Sequence, residues 1–254
     1  MALKVFITGA SSGIGEALAR HYASQGAQLG LIARRAERLE KLASTLSPAP
    51  AVYALDVRDA SGLRRAASDF IARFGVPDIV IANAGVSKGT LTEHESDLDV
   101  FQQLFDINVI GMVNTFHPFI NPMRQKGAGT LTGIASVAGF RGIPGGGAYS
   151  ASKAAAIKYC ESLRVELRGS GVSVVTICPG YIKTPMSDVN RFKMPFIISV
   201  EDAVVRFARA IDARTSFTVI PWTMGIAARM LRILPNWLYD RLFSRLPRKA
   251  RQPN

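Results

Sequence analysis

Val5-Phe6-Ile7-Thr8-Gly9-Ala10-Ser11-Ser12-Gly13-Ile14-Gly15 is the stretch on which the reading of the chain turns. Val5-Phe6-Ile7 is a short apolar run of strand character, and a helical pattern follows the glycines through Gln25. A strand, a glycine-rich turn and a helix start are the ingredients of a dinucleotide phosphate site. Glycines let the backbone approach a pyrophosphate, and the free N–H groups and dipole of the helix N-terminus favour the anion. The spacing is G-x-x-x-G-x-G rather than G-x-G-x-x-G. A glycine turn alone is weak evidence; its position after the first strand of an alternating chain gives it weight. Gly9, Ser11, Ser12, Gly13, Ile14 and Gly15 are therefore candidate cofactor contacts.

The alternation continues downstream. Leu29–Ala33 reads as a second strand ending in Arg34-Arg35. Where such a strand meets an adenosine ribose, an acidic residue would hold the 2′-hydroxyl, whereas arginine suits a 2′-phosphate. Two arginines and no acid point to NADP(H); the alternative is a solvated basic turn capping a helix over Glu37–Leu46. Val52–Leu55 is a third strand, and Asp56-Val57 follows it. Asp56 either accepts from an adenine amino group or caps the helix of residues 59–73. A fourth strand, Asp78–Ala82, delivers Asn83-Ala84-Gly85, a small turn that lets the backbone pass close to a cofactor. Strands alternating with helices imply a parallel sheet with right-handed crossovers.

Residues 97–125 read as one long helical segment carrying Asn108, which is costly in an apolar helix unless its amide is satisfied. It is either purely structural or a point where the helix opens and holds a water. Thr130–Ala135 is a fifth strand that presents Ser136 at its C-terminal end, where ligands bind in open α/β sheets. A flexible connection, Val137–Gly147, leads to Tyr149-Ser150-Ala151-Ser152-Lys153 in an alanine-rich helix running to about Arg168. Tyr149 and Lys153 stand four apart, one turn above each other. An ammonium beside a phenol favours the phenolate, and bringing a tyrosine towards neutrality needs roughly 4 kcal/mol. Taken alone, the pair reads first as an ordinary half-buried Tyr and a solvated Lys, because Tyr-x-x-x-Lys arises readily by chance. Val172–Ile177 is a sixth strand and leads to Cys178-Pro179-Gly180-Tyr181-Ile182-Lys183-Thr184. Residues 200–213 are helical, and Phe217–Ile220 is a last strand.

Residues 185–199 contain Met186, Phe192, Met194, Pro195, Phe196 and Ile197. They suit a lid over an apolar ligand, with Phe140 and Met186 as candidate substrate contacts; the alternative is packing on a neighbouring subunit. The C-terminal segment then changes character. Ile226, Met230, Ile233, Leu234, Trp237, Leu238 and Leu242 recur at helical spacing among Arg229, Arg232, Arg241 and Arg245, and Pro235 should start a second helix. Such a pair suits either an anionic membrane interface or packing on its own domain or a partner. We expect residues 1–220 to form the catalytic domain and residues 221–254 to be an extension of it.

With 31 Lys+Arg against 19 Asp+Glu, the net charge is +12, and residues 222–254 supply half of the excess. No recognition motif accompanies that charge, so its place in an amphipathic tail favours lipid over nucleic acid. Cys160 and Cys178 have no metal-ligand spacing and read as reduced, buried thiols. With no signal-like N-terminus and no uncharged run of spanning length, the expectation is a cytoplasmic protein, either free or peripheral at the membrane.

The ordered set Thr8-Gly9-x-x-x-Gly13-x-Gly15, Asn83-Ala84-Gly85, Asn108, Ser136, Tyr149-x-x-x-Lys153 and Pro179-Gly180 resembles the classical short-chain dehydrogenase/reductase family over essentially residues 1–220. The resemblance implies a Rossmann-type, doubly wound sheet of seven mainly parallel strands. It also implies hydride transfer to or from a nicotinamide, between a carbonyl and an alcohol. Tyr149 would be the general acid or base. Lys153 would bind the nicotinamide ribose and depress the tyrosine pKa. Ser136 would hold the substrate oxygen, and Asn108 would maintain a relay water. Pro179, Gly180 and Ile182 would line the nicotinamide side, with Thr184 on its carboxamide. The family's dimers or tetramers form through the helices of residues 97–125 and 148–168, although the C-terminal extension departs from the compact family end. The remaining alternative is a dinucleotide-binding redox sensor without turnover, against which the intact set of four catalytic-type residues argues.

Overall fold

The computed structural model describes residues 2–188, 194–244 and 251. Seven strands, β1 (Lys4–Thr8), β2 (Gln28–Ala33), β3 (Ala51–Ala54), β4 (Ile79–Ala82), β5 (Gly129–Ile134), β6 (Val172–Pro179) and β7 (Phe217–Ile220), form one sheet in the order β3-β2-β1-β4-β5-β6-β7. Every neighbouring pair is parallel. The order reverses between β1 and β4, which opens a crevice at the carboxyl ends of those two strands.

Strand alternation divides the core. Val5, Ile7, Leu29, Leu31, Ile79 and Ile81 point to one face and pack on α1 (Gly13–Ser24) and α8 (Val200–Asp212). Phe6, Ile32, Val80 and Leu131 point to the other, against α3 (Ala60–Phe74), α5 (Gly111–Lys126) and α6 (Gly147–Glu166). Two buried faces explain why these strands read as continuous apolar runs instead of alternating with polar residues. Phe6 anchors the second face, with its ring edge-on to Phe70 at 5.4 Å and to Phe119 at 4.7 Å. Gly30 is required there, because a Cβ would sit 2.6 Å from the Phe6 ring.

Among the shorter helices, α2 (Ala36–Ala43) follows β2 and α4 (Asp97–Phe105) precedes α5. A π-helical turn, Asp106–Ile110, joins α4 to α5 and contains Asn108. The expected single helix over 97–125 is thus opened at the one residue whose amide needed partners. After β6 come the short α7 (Pro185–Asp188), then α9 (Trp222–Ile233) and α10 (Asn236–Phe243), which break at Leu234-Pro235. Cys160 and Cys178 are free and buried. Phe192 and Arg245 lie outside the described residues.

Candidate active site

The crevice is built first by close backbone contacts. Gly9 adopts φ +70° as β1 ends, and a Cβ on it would lie 2.8 Å from the Ala84 Cα. The Asn83 amide donates to the Thr8 and Gly9 carbonyls at 3.1 and 3.2 Å, and the Ala84 N–H donates to the Thr8 hydroxyl at 3.3 Å. Asn83 therefore ties the ends of β1 and β4 together across the crevice. A Cβ on Gly13, at φ +57°, would lie 3.5 Å from the Thr184 side chain. Gly15 differs from its neighbours and does not line the crevice. A Cβ there would fall 2.2 Å from the Gly9 carbonyl oxygen, so its role is to let α1 close behind the turn.

The second sequence signal, Arg34-Arg35, meets the glycine turn directly. The Arg35 guanidinium donates to the Ser11 hydroxyl at 3.1 Å and the Ser12 hydroxyl at 2.9 Å. Ser12, in the N-cap position of α1, uses its hydroxyl this way and not as a cap. Burial, together with Arg38 and Arg34, holds the Arg35 pKa below the ordinary guanidinium range. Both arginines are exposed at the rim of the crevice, and Arg35 also occupies the N-cap position of the helix Ala36–Ala43. Asp56 does not cap α3; that task falls to Asp59, which accepts from the Gly62 N–H at 2.9 Å. Asp56 instead receives the Arg58 guanidinium at 2.8 and 3.1 Å, with Arg34 at 3.9 Å. The Arg58 hydrogen bond is the largest influence depressing its carboxyl pKa. Three residues of offset separate the two aspartates, and only the loop geometry chooses between them.

Further along the crevice, Ser136 ends the β5 segment and caps a short 3-10 turn by accepting the Ala138 N–H at 3.1 Å. Its hydroxyl is hydrogen-bonded with that of Tyr149, and this bond is the one influence lowering a tyrosine pKa that burial otherwise pushes up. Lys153 donates to the Ile134 carbonyl at 2.9 Å and lies 6.0 Å from the centre of the Tyr149 ring. Burial brings its pKa down to about 8. The spacing-based picture of a tyrosine drawn towards neutrality by Lys153 is thus corrected. Both groups are buried, and desolvation penalises the charged form of each.

Asn108 is 1% exposed and stands behind the crevice rather than in it. Its oxygen accepts the Val86 N–H at 2.9 Å, and its NH2 donates to the Val86 carbonyl and the Ser152 hydroxyl, both at 3.0 Å. Both donors are used, which leaves one lone pair on the oxygen. A Cβ on Gly85 would come within 3.1 Å of that oxygen and 3.4 Å of the Lys153 ammonium, so the two groups converge on one glycine.

The crevice is continuous. A cavity of about 1120 Å³ runs from Gly9, Ser11, Ser12, Gly13, Ile14, Arg34, Arg35, Asp56 and Val57, past Asn83, Ala84 and Gly85, to Ser136, Tyr149 and Lys153. Pro179, Gly180, Ile182 and Thr184 form one side, and Phe140 and Met186 stand at the far end. Its volume is at the upper end of the range of ligand pockets, about 300–1,000 Å³.

The model of the family described as short chain dehydrogenase matches residues 3–194. The chain belongs to the short-chain dehydrogenase family. An uncharacterized oxidoreductase of Myxococcus xanthus is 38% identical over 246 residues, covering 94% of this chain and 96% of its own length. A short chain dehydrogenase from Burkholderia cenocepacia, solved in complex with NADP, superposes with a TM-score of 0.82 at 26% identity, covering 97% and 98% of the two chains. One from Burkholderia phymatum, in complex with NAD, reaches a TM-score of 0.83 at 23% identity over 99% and 98%, a likeness of fold. The chain is therefore an oxidoreductase whose relatives bind nicotinamide dinucleotides of both kinds.

What sequence reasoning missed in this short-chain dehydrogenase is the roof of the far end. Met224, Ala228 and Leu231 of α9, with Tyr239 and Phe243 of α10, line the cavity, and Phe140 packs against the cluster that contains Met224. Arg141 holds that roof in place. It donates to the carbonyls of Leu231, Arg232 and Leu234 and to the Asn236 side chain, and it stacks 3.9 Å over the Tyr239 ring. The Tyr239 hydroxyl returns a hydrogen bond to the Gly142 carbonyl. The available signal was that α9 is apolar on both sides: Met224, Ala228 and Leu231 share the face opposite Ile226, Met230 and Ile233.

Proposed function

We propose that this chain is an NADP(H)-dependent carbonyl reductase, or in reverse an alcohol dehydrogenase, acting on an apolar small molecule. The observation that carries the reading is the Ser136–Tyr149 hydroxyl pair, at the far side of a cavity that begins at the glycine turn. The residues fit a dinucleotide. Gly9 and Gly13 leave a cradle that side chains would fill or strain, and Arg35 with the Ser11 and Ser12 hydroxyls supplies donors where a 2′-phosphate would lie. When bound, the dinucleotide supplies or takes the hydride.

Each side chain then has a role that its surroundings support. Tyr149, hydrogen-bonded to Ser136 inside the cavity, is placed to give its proton to a carbonyl oxygen in the reductive direction and to take it back in the oxidative one. The Ser136 hydroxyl, next to it, donates to the same carbonyl oxygen and holds it in place. Lys153 retains its charge below pH about 8 and stabilises the phenolate as the proton leaves. Asn108 acts through others, fixing Val86 and Ser152 around Gly85. Phe140, Met186, Met224 and Leu231 favour an apolar substrate, and Pro195 and Phe196 border the same space. Exposed Leu98 and Val165, on α4 and α6, suit a homodimer built through those helices.

Turnover of NADPH with a panel of apolar ketones tests the reading, and no turnover with any of them would count against it. Replacing Arg34 and Arg35 together with alanine tests the cofactor choice. Loss of charge-assisted hydrogen bonds at about 1.5–3 kcal/mol should raise KM for NADPH roughly 10- to 100-fold and leave that for NADH near its original value. An unchanged preference would mean that the arginines serve the turn alone.

A further inference from the structure

The side of α9 and α10 that faces away from the cavity carries a strip with no partner among the described residues. Trp222, Ile226, Met230 and Ile233 stand on one face of α9, and Trp237 and Leu242 are further apolar side chains on α10. All six are exposed, Ile233 by 81% and Trp237 by 68%. A helix apolar on both sides needs two apolar surroundings, and its own domain supplies one. Arg229, Arg232 and Arg241 are exposed on the same two helices against a single acid, Asp240. No helix among the described residues is long and apolar enough to cross a membrane. Tryptophan, aliphatic side chains and arginine on a surface helix pair match an element that lies in a bilayer interface.

We propose that this outer face docks on an anionic lipid bilayer. Charge decides between that surface and a second copy of the chain. Two copies meeting on the strip would set Arg229, Arg232 and Arg241 against their own counterparts, whereas anionic headgroups complement them. Arg141 ties α9 and α10 to the loop that follows Ser136, so the docked helices remain the roof of the cavity. An apolar substrate dissolved in the lipid then arrives beside the site. That last consequence rests on the proposed activity; the docking does not.

Flotation of the intact chain with vesicles of phosphatidylcholine, with and without phosphatidylglycerol, tests the proposal. Binding should require the anionic lipid and weaken as salt is added. Arg229→Glu with Arg232→Glu should weaken it roughly twentyfold or more, and Trp222→Glu with Ile233→Glu should do so at least tenfold. These positions are exposed, and unchanged melting by circular dichroism establishes that both variants remain folded. Tyr149→Phe should float like the unmodified chain, so a failure of the catalytic reading is seen separately. Absence of binding to either vesicle, unweakened binding by both variants, or a solution dimer that Trp222→Glu with Ile233→Glu splits would each overturn the proposal.

Discussion

The two ends of the cavity are built by opposite means. At the dinucleotide end, main chain touches main chain. Gly9 passes Ala84, Gly15 passes the Gly9 carbonyl, and Asn83 bridges two strand ends. At the far end, side chains on α9 and α10 form a roof that one arginine holds to the body through carbonyls some 90 residues away in sequence. The first construction tolerates almost no added atom and serves any substrate. The second is built from side chains alone and is adjustable, and under the proposed function it is the end that selects the substrate.

This contrast yields unequal mutational effects. The largest is expected at Gly15→Ala, whose methyl would overlap the Gly9 carbonyl oxygen at 2.2 Å. Overpacking of this kind typically costs ~1–3 kcal/mol, and here it also displaces the phosphate turn, so dinucleotide affinity by calorimetry should fall on the order of 100-fold. Gly26→Ala is the control. Nothing lies within 4 Å of its Cβ, and its φ of +74° should cost only about 1–2 kcal/mol, with binding retained. Equal binding losses in the two would break the distinction.

At the adjustable end, Arg141→Ala removes the hydrogen bonds that hold the roof. KM for an apolar ketone should rise about tenfold, with dinucleotide affinity unchanged. A matching loss of dinucleotide affinity would mean that the two ends are one mechanical unit.

A further effect, on stability and not on binding, concerns the junction between them. Lys153 titrates at about 8 in the fold, down from 10.5. Its burial cost is therefore fully present below pH about 8 and is relieved as pH rises to about 10.5, where the unfolded chain also gives up the proton. Melting curves should show the stability of the unmodified chain gaining on that of Lys153→Met across this window, by at most about 1.4 kcal/mol per pH unit. Parallel curves would place Lys153 in a wetter site than its contact with the Ile134 carbonyl implies.

The same contrast explains what could be read from sequence. The sheet was legible because strands buried on both faces are written as runs such as Val5-Phe6-Ile7. The glycine-turn end of the cavity was legible because close backbone approach admits few residue types at fixed spacing. Ser136 was visible from its place at a strand end, and Asn108 from its cost inside an apolar helix. Which aspartate capped α3 was settled by loop geometry that spacing does not encode. The direction of the Tyr149 shift was misjudged because spacing reveals proximity and not desolvation. The roof was legible only as an apolar side of α9 that its own domain could cover, and what holds it there was not. Arg141 binds backbone carbonyls, which every residue has, so nothing at Leu231 or Leu234 marks them as its partners.

The central claim is that the Ser136–Tyr149 pair is the proton-handling end of a nicotinamide-dependent site. The most direct measurement is NADPH oxidation with a turned-over ketone by the unmodified chain and by Tyr149→Phe, alongside dinucleotide affinity for both. Loss of the general acid should lower kcat by ~10²–10⁴ while affinity stays within a few-fold. Full turnover by Tyr149→Phe with intact binding would contradict the account.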